Sequence, residues 1–267
     1  MAEISTVKTD NFSMDYFKFG KGSRTMVILP GLSVQSVMGS ADAVVGAFTM
    51  AQDDFTIYVF DRRNELPSEY SIYDMAKDTA EVIKKLGLSD IYLFGASQGG
   101  MIAMTIAIEY PELVKKLALG STSSHVKPEQ YEALGKWVEL AKKGDRTDLY
   151  LNFGEMIYPP EVFEQYRDYF TNVSQTVTEE ELQRFVILAT GIKDFNVTDR
   201  LCEIKCPVLV TGAFEDKVLD DDATMEIAEK LDYKDEDFHL YMYMGFGHAA
   251  FDTAPDYRQR MLDFFLK

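Results

Sequence analysis

Three short stretches hold residue types that could act on one another: Ser97 within Gly95-Ala96-Ser97-Gln98-Gly99, Asp216 just past Gly212, and His248 in Gly245-Phe246-Gly247-His248. A serine hydroxyl is a weak nucleophile near neutral pH. It becomes effective when a histidine within hydrogen-bonding reach takes its proton and a carboxylate fixes that histidine's tautomer and charge. The first stretch fits G-x-S-x-G, a strained strand-to-helix turn that presents the serine hydroxyl at the carboxyl edge of a sheet. Such a set would attack an acyl carbonyl.

The chain contains three histidines. His239 falls inside a predicted strand and His125 opens a long middle segment. Only His248 follows both a strand and the acid, in a glycine-flanked loop. For the acid, Asp216 is preferred over Glu215 and Asp220 because it lies four residues past Gly212, where a strand ends. The oxygen of a tetrahedral intermediate needs preorganised N–H donors, each worth on the order of 3 kcal/mol of barrier. Gln98, directly after the serine at a helix start, offers one. Leu32 in Leu29-Pro30-Gly31-Leu32 offers the second, since Pro30 has no N–H to give.

These residues need a scaffold that brings strand ends together. Apolar runs at 12–20, 25–29, 55–60, 91–94, 114–119, 207–212 and 238–244 read as strands, the first pair giving an antiparallel entry into the sheet. Helical patterns lie at 41–50, 101–110, 221–231 and 255–266, with Pro255 in the first turn of the last. The clearest helix starts at Ile72, with Ser71 and Asp74 as a capping box and Gly87 as its stop. Strands alternating with helices predict a parallel sheet covered on both faces. From about residue 121 to 200 the pattern turns helical and rich in large apolar side chains, too long for a structureless loop and too apolar for disorder.

Composition narrows the partners. The formal net charge is −17, whereas nucleic acid and anionic membrane surfaces both call for a positive footprint, so neither is expected. No run approaches the roughly 20 apolar residues of a membrane span, and Met1-Ala2-Glu3-Ile4-Ser5-Thr6 lacks the features of a signal peptide, so the cytoplasm is the expected compartment. Cys202 and Cys206 are the only cysteines, with no second ligand pair, which argues against a disulfide framework or a zinc site.

Taken together, the motifs resemble those of the α/β-hydrolase superfamily, in its branch of capped, single-domain, esterase-like hydrolases. The likeness runs over nearly the whole chain: Leu29-Pro30-Gly31-Leu32, Phe60-Asp61-Arg62, the serine turn, Tyr110-Pro111-Glu112, Cys206-Pro207-Val208-Leu209-Val210-Thr211-Gly212 with Asp216, and Gly247-His248. It departs at Pro30-Gly31, where many relatives carry His-Gly, and after Asp61, where the usual glycines are missing. The resemblance implies an α/β-hydrolase fold: a mostly parallel central sheet with helices on both faces, a core of residues 1–120 and 201–267, and a helical cap over 121–200. It further implies a serine hydrolase with Ser97, Asp216 and His248 catalytic and the Leu32 and Gln98 N–H groups as oxyanion hole. The expected reaction is cleavage of a small or medium, largely apolar carboxylic ester through an acyl-enzyme, with a small-molecule substrate as partner. No metal or organic cofactor is implied, and the residues specify no oligomeric state. The same triad also serves thioester, lactone, amide and carbon–carbon bond cleavage and peracid formation. A ligand sensor or signalling protein with little turnover is the alternative from another class.

Overall fold

The structure is a computed structural model and describes residues 2–128, 130–231 and 238–267. Among these, eight strands are formed: β1 (Ile4–Lys8), β2 (Ser13–Phe19), β3 (Arg24–Leu29), β4 (Phe55–Arg63), β5 (Ile91–Ala96), β6 (Val114–Gly120), β7 (Val208–Ala213) and β8 (Phe238–Tyr243). They join one sheet in the order β1-β2-β4-β3-β5-β6-β7-β8. β2 runs antiparallel to β1 and β4; all other neighbours are parallel. Every residue of β5 and β7 is buried, as a parallel sheet covered on both faces requires.

The helices are α1 (Ala41–Ala47), α2 (Ile72–Lys85), α3 (Gln98–Glu109), α4 (Gln130–Lys143), α5 (Arg146–Ile157), α6 (Pro160–Ser174), α7 (Glu179–Thr190), α8 (Asp221–Lys230), α9 (Ala250–Thr253) and α10 (Tyr257–Leu266). One face of the sheet packs against α2, α3 and α8, where Ile72, Met75, Ile102 and Ile227 are buried. The other packs against α1, α9 and α10 through Ala41, Ala250, Met261 and Phe265. Fully burying one such large aliphatic or aromatic side chain contributes about 1.5–3 kcal/mol. The capping box on α2 is formed in both directions by Ser71 and Asp74. Among the described residues, no helix is long and apolar enough to cross a membrane.

The structure departs from the sequence expectation at the amino-terminal edge. β2 lies against β4, whereas β3 runs parallel between β4 and β5. The connection after β2 passes the start of β4, where Lys21 N–H donates to the Gln52 carbonyl (2.8 Å) and Arg24 N–H to that of Asp54 (3.3 Å). β1 is additional: only Val7 in it is buried, so it leaves almost no alternation to read. α1 stops at Ala47, where Phe48 leaves helical geometry to bury its ring. α10 begins at Tyr257, with Pro255 in the turn before it.

Between β6 and β7 the described residues form α4 to α7. The two ends of this insertion are tied by an antiparallel bridge of His125 with Asn196 and by Val197 N–H donating to the Ser124 carbonyl (2.8 Å). Trp137, Leu149, Leu182 and Phe185 form an apolar cluster that takes in Val34, Val218 and Leu219 from loops of the sheet domain. The insertion therefore sits over the carboxyl ends of β3 and β7.

Candidate active site

β5 leads straight into Ser97, which joins it to α3 at φ 52° and ψ −122°. A non-glycine residue held there costs of order 1–3 kcal/mol, which the surroundings must supply. Ser97 N–H donates to the Gly120 carbonyl (2.9 Å), and the Ser97 carbonyl accepts from Gly100 N–H (2.9 Å) and Thr122 Oγ1 (2.7 Å). The turn also needs close approach of the β3 loop: a Cβ on Gly99 would lie 2.0 Å from the Leu29 carbonyl oxygen, and one on Gly31 would lie 3.2 Å from Ser97 Cβ. Backbone from β3 thus lies directly beside the serine. Neither the Leu32 N–H nor the Gln98 N–H has an acceptor among the described residues.

His248 Nδ1 lies 2.8 Å from Asp216 Oδ2, with both side chains almost wholly buried. The other carboxylate oxygen accepts from the N–H groups of Val218 (2.8 Å) and Leu219 (3.0 Å). A carboxylate locked this way puts the imidazole proton on Nδ1 and leaves Nε2 as the free acceptor. Among the described residues, the Ser97 hydroxyl makes no hydrogen bond to His248; the two groups instead line one cavity. Glu215 accepts from Gly245 N–H (2.9 Å), and Asp220 caps α8 through Ala223 N–H (3.2 Å), so neither stands where Asp216 does. His239 stacks edge-on against Phe264, and His125 faces Thr198 and Glu226.

The cavity holds about 70 Å³. Its apolar wall comes from Leu134 and Trp137 of α4, Phe153 and Ile157 of α5, and Val218 and Leu219 after β7. Among the described residues, no charged side chain lines it. The polar side chains in the wall, other than Ser97 and His248, are already committed. Gln130 accepts from Lys127 N–H (3.0 Å) and donates to the Leu219 carbonyl (2.7 Å), and Trp137 Nε1 donates to Asn152 (3.0 Å). Gln98 is held from both ends, accepting from Arg62 Nη2 (3.0 Å) and donating to the Leu188 carbonyl (2.8 Å).

Arg62 and Arg184 join the site without being marked out by the sequence. Arg184 on α7 donates to the Arg63 carbonyl (2.8 Å), the Arg62 carbonyl (3.1 Å) and Asp61 (3.1 Å), fastening the insertion to the end of β4. Arg62 stood in the Phe60-Asp61-Arg62 motif, but nothing in its spacing says that the side chain turns inward.

Residues 25–255 match the family model of the alpha/beta hydrolase fold, and the chain belongs to this family. A curated relative from Agrobacterium fabrum, named "Putative carbamate hydrolase RutD", is 26% identical over 258 residues, covering 91% of this chain and 95% of its own. Among solved structures, MGS-M2, an alpha/beta hydrolase enzyme from a Medee basin deep-sea metagenome library, superposes with a TM-score of 0.87 at 21% identity, covering 98% of both chains. The enol-lactonase of Burkholderia xenovorans gives a TM-score of 0.82 at 15% identity, over 98% of this chain and 100% of its own. At such identities the two structures speak for the fold.

Proposed function

We propose that the protein is a serine hydrolase that cleaves a small or medium, uncharged, largely apolar carboxylic ester through an acyl-enzyme. The observation that carries this reading is the cavity: Ser97 and His248 open into it, and among the described residues no charged side chain lines it and the other polar side chains in its wall are spoken for. A substrate carboxylate or ammonium would be stripped of water there with no partner, at a cost of several kcal/mol. Apolar walls recognise an acyl chain by shape. The insertion acts in this reading as a lid that excludes water.

In the first half-reaction the Ser97 oxygen attacks the ester carbonyl while His248 Nε2 takes its proton. Asp216 stabilises the imidazolium at Nδ1. The carbonyl oxygen becomes an oxyanion held by the N–H groups of Leu32 and Gln98. Collapse expels the alcohol, which receives the proton from His248, and leaves an ester on Ser97. In the second half, water attacks that ester with His248 again as base, releasing the carboxylic acid and restoring the serine. The activities named for the relatives, on a carbamate and an enol-lactone, would need the same steps, so a neutral carbamate and a neutral lactone belong in the same substrate panel.

The test is a p-nitrophenyl ester series of rising acyl length, with the monosuccinate ester as an anionic control. The expected result is turnover of neutral esters with an optimum at short to medium length, and kcat/KM lower by about 100-fold or more for the anionic ester. Equal rates on the anionic ester would refute the neutral substrate class. Binding of esters without turnover would turn the assignment toward a ligand sensor.

A further inference from the structure

We propose that Arg62 is a positioning residue that sets the oxyanion hole by fastening the loop after β3 to the first residue of α3, and that it does so in register with α7. The proposal rests on the serine-hydrolase reading above and adds to it a residue that makes no contact with the reacting atoms.

Arg62 is 3% exposed at the carboxyl end of β4. Its Nη2 spans two segments, donating one hydrogen to the Pro30 carbonyl (2.8 Å) and the other to Gln98 Oε1 (3.0 Å). Pro30 stands two residues before Leu32, and Gln98 carries the second expected donor on its own backbone. One nitrogen therefore ties together the two pieces of chain whose N–H groups must converge on a single oxygen. An error of about 1 Å in such placement is enough to cost on the order of 100-fold in rate.

Gln98 extends the tie. Its Nε2 donates to the Leu188 carbonyl. In that last turn of α7 the Ile187, Ala189 and Thr190 carbonyls accept from the N–H groups of Gly191, Ile192 and Lys193, while the Leu188 carbonyl accepts from Gln98 instead. A carbonyl left over at a helix end needs some partner, and here the partner is the residue beside the nucleophile. The order Pro30, Arg62, Gln98, Leu188 thus links the β3 loop, β4, α3 and α7 through three hydrogen bonds.

Keeping a guanidinium at this place is costly. Burial lowers its pKa to about 10, the adjacent Asp61 opposing that shift, and Nε is buried with no partner among the described residues. An apolar residue would fill the space without that expense. What an apolar residue lacks is a donor nitrogen whose two hydrogens can reach both oxygens at once. Pro30, which has no N–H or polar side chain to brace its own loop, makes this outside support necessary.

The test compares wild type, Arg62→Met, Arg62→Lys and Gln98→Met, each titrated with a fluorophosphonate so that kcat is expressed per reactive serine. Arg62→Met and Gln98→Met should each lower kcat per titrated site by about tenfold or more, with KM for p-nitrophenyl butyrate changed by less than about threefold. The double variant should lose little beyond the singles, because both remove the same tie. Arg62→Lys, which keeps the charge and several N–H donors on a shorter reach, should recover part of the rate. A purely structural role predicts the reverse: fewer titratable sites, each turning over at the wild-type rate, and that result would overturn the proposal. Should Arg62→Met fail to fold, Gln98→Met breaks the tie from the other side and decides alone. A folded wild type that takes no label would instead bring down the serine-hydrolase reading, and this inference with it.

Discussion

Asp216 shows how much one side chain's surroundings matter. Its two oxygens do different jobs: Oδ1 accepts from the Val218 and Leu219 N–H groups, and Oδ2 meets His248 Nδ1. An Asp216→Asn substitution can keep the first pair of bonds through its amide oxygen, so the loop should hold. It would then point an NH₂ at Nδ1 and push the imidazole proton onto Nε2, where it blocks proton uptake from the serine. The expected loss in kcat is about 10³–10⁴-fold at neutral pH, with little change in thermal unfolding. Glu215, engaged with Gly245 on the outside, should tolerate Glu215→Gln within about twofold in kcat. A loss below about tenfold for Asp216→Asn would contradict the role proposed for it. This preference is legible in the sequence because Asp216 sits at the right distance past a strand; its bonds to Val218 and Leu219 are not, since they depend on how the loop folds back.

Among the elements, the serine turn carries its strain at the nucleophile itself. Ser97 occupies a φ and ψ that glycine adopts freely and other residues do not. Ser97→Gly should therefore be more stable than Ser97→Ala by about 1 kcal/mol in urea denaturation, since the two lack the same hydroxyl and differ in whether a Cβ is forced into the turn. Equal stabilities would mean that the turn is relaxed. The strand, the turn and the following helix are readable from G-x-S-x-G because its glycines mark close approaches that a Cβ would fill. The tie from Arg62 to Pro30 and Gln98 is not readable. Arginine at a strand end usually faces water, and only the crossing of β3 between β4 and β5 brings those partners within reach. The weak edge strand β1 and the pairing of β2 with β4 escape for a related reason: register between distant segments leaves little trace in local pattern.

For the whole molecule, the excess of acidic residues gives a net charge of −17. That field opposes approach of an anionic substrate before any contact is made, and a cavity with no charged side chain among its described lining residues opposes its entry. Screening shortens the reach of the first effect to about 10 Å at 0.1 M salt and leaves the second untouched. The gap in kcat/KM between neutral and anionic esters should accordingly narrow by a few-fold as salt rises and then level off well above unity. The alternation of strands and helices makes the parallel sheet legible at this scale, and an apolar helical segment between β6 and β7 makes the insertion legible as helices. Which of its side chains face the cavity is not. Trp137 and Phe153 do, with ring centroids 4.6 Å apart, whereas Tyr166 and Tyr169 point outward, and all four are large aromatics in helical segments.

The central claim is that Ser97 is an activated nucleophile whose base is His248. Its most direct test is fluorophosphonate labelling followed by peptide mapping, on wild type, Ser97→Ala and His248→Ala. One adduct per chain is expected, carried by the peptide containing Ser97, absent from Ser97→Ala and formed about 10³-fold or more slowly in His248→Ala. A correctly folded wild type that takes no label, or takes it on another residue, would contradict it.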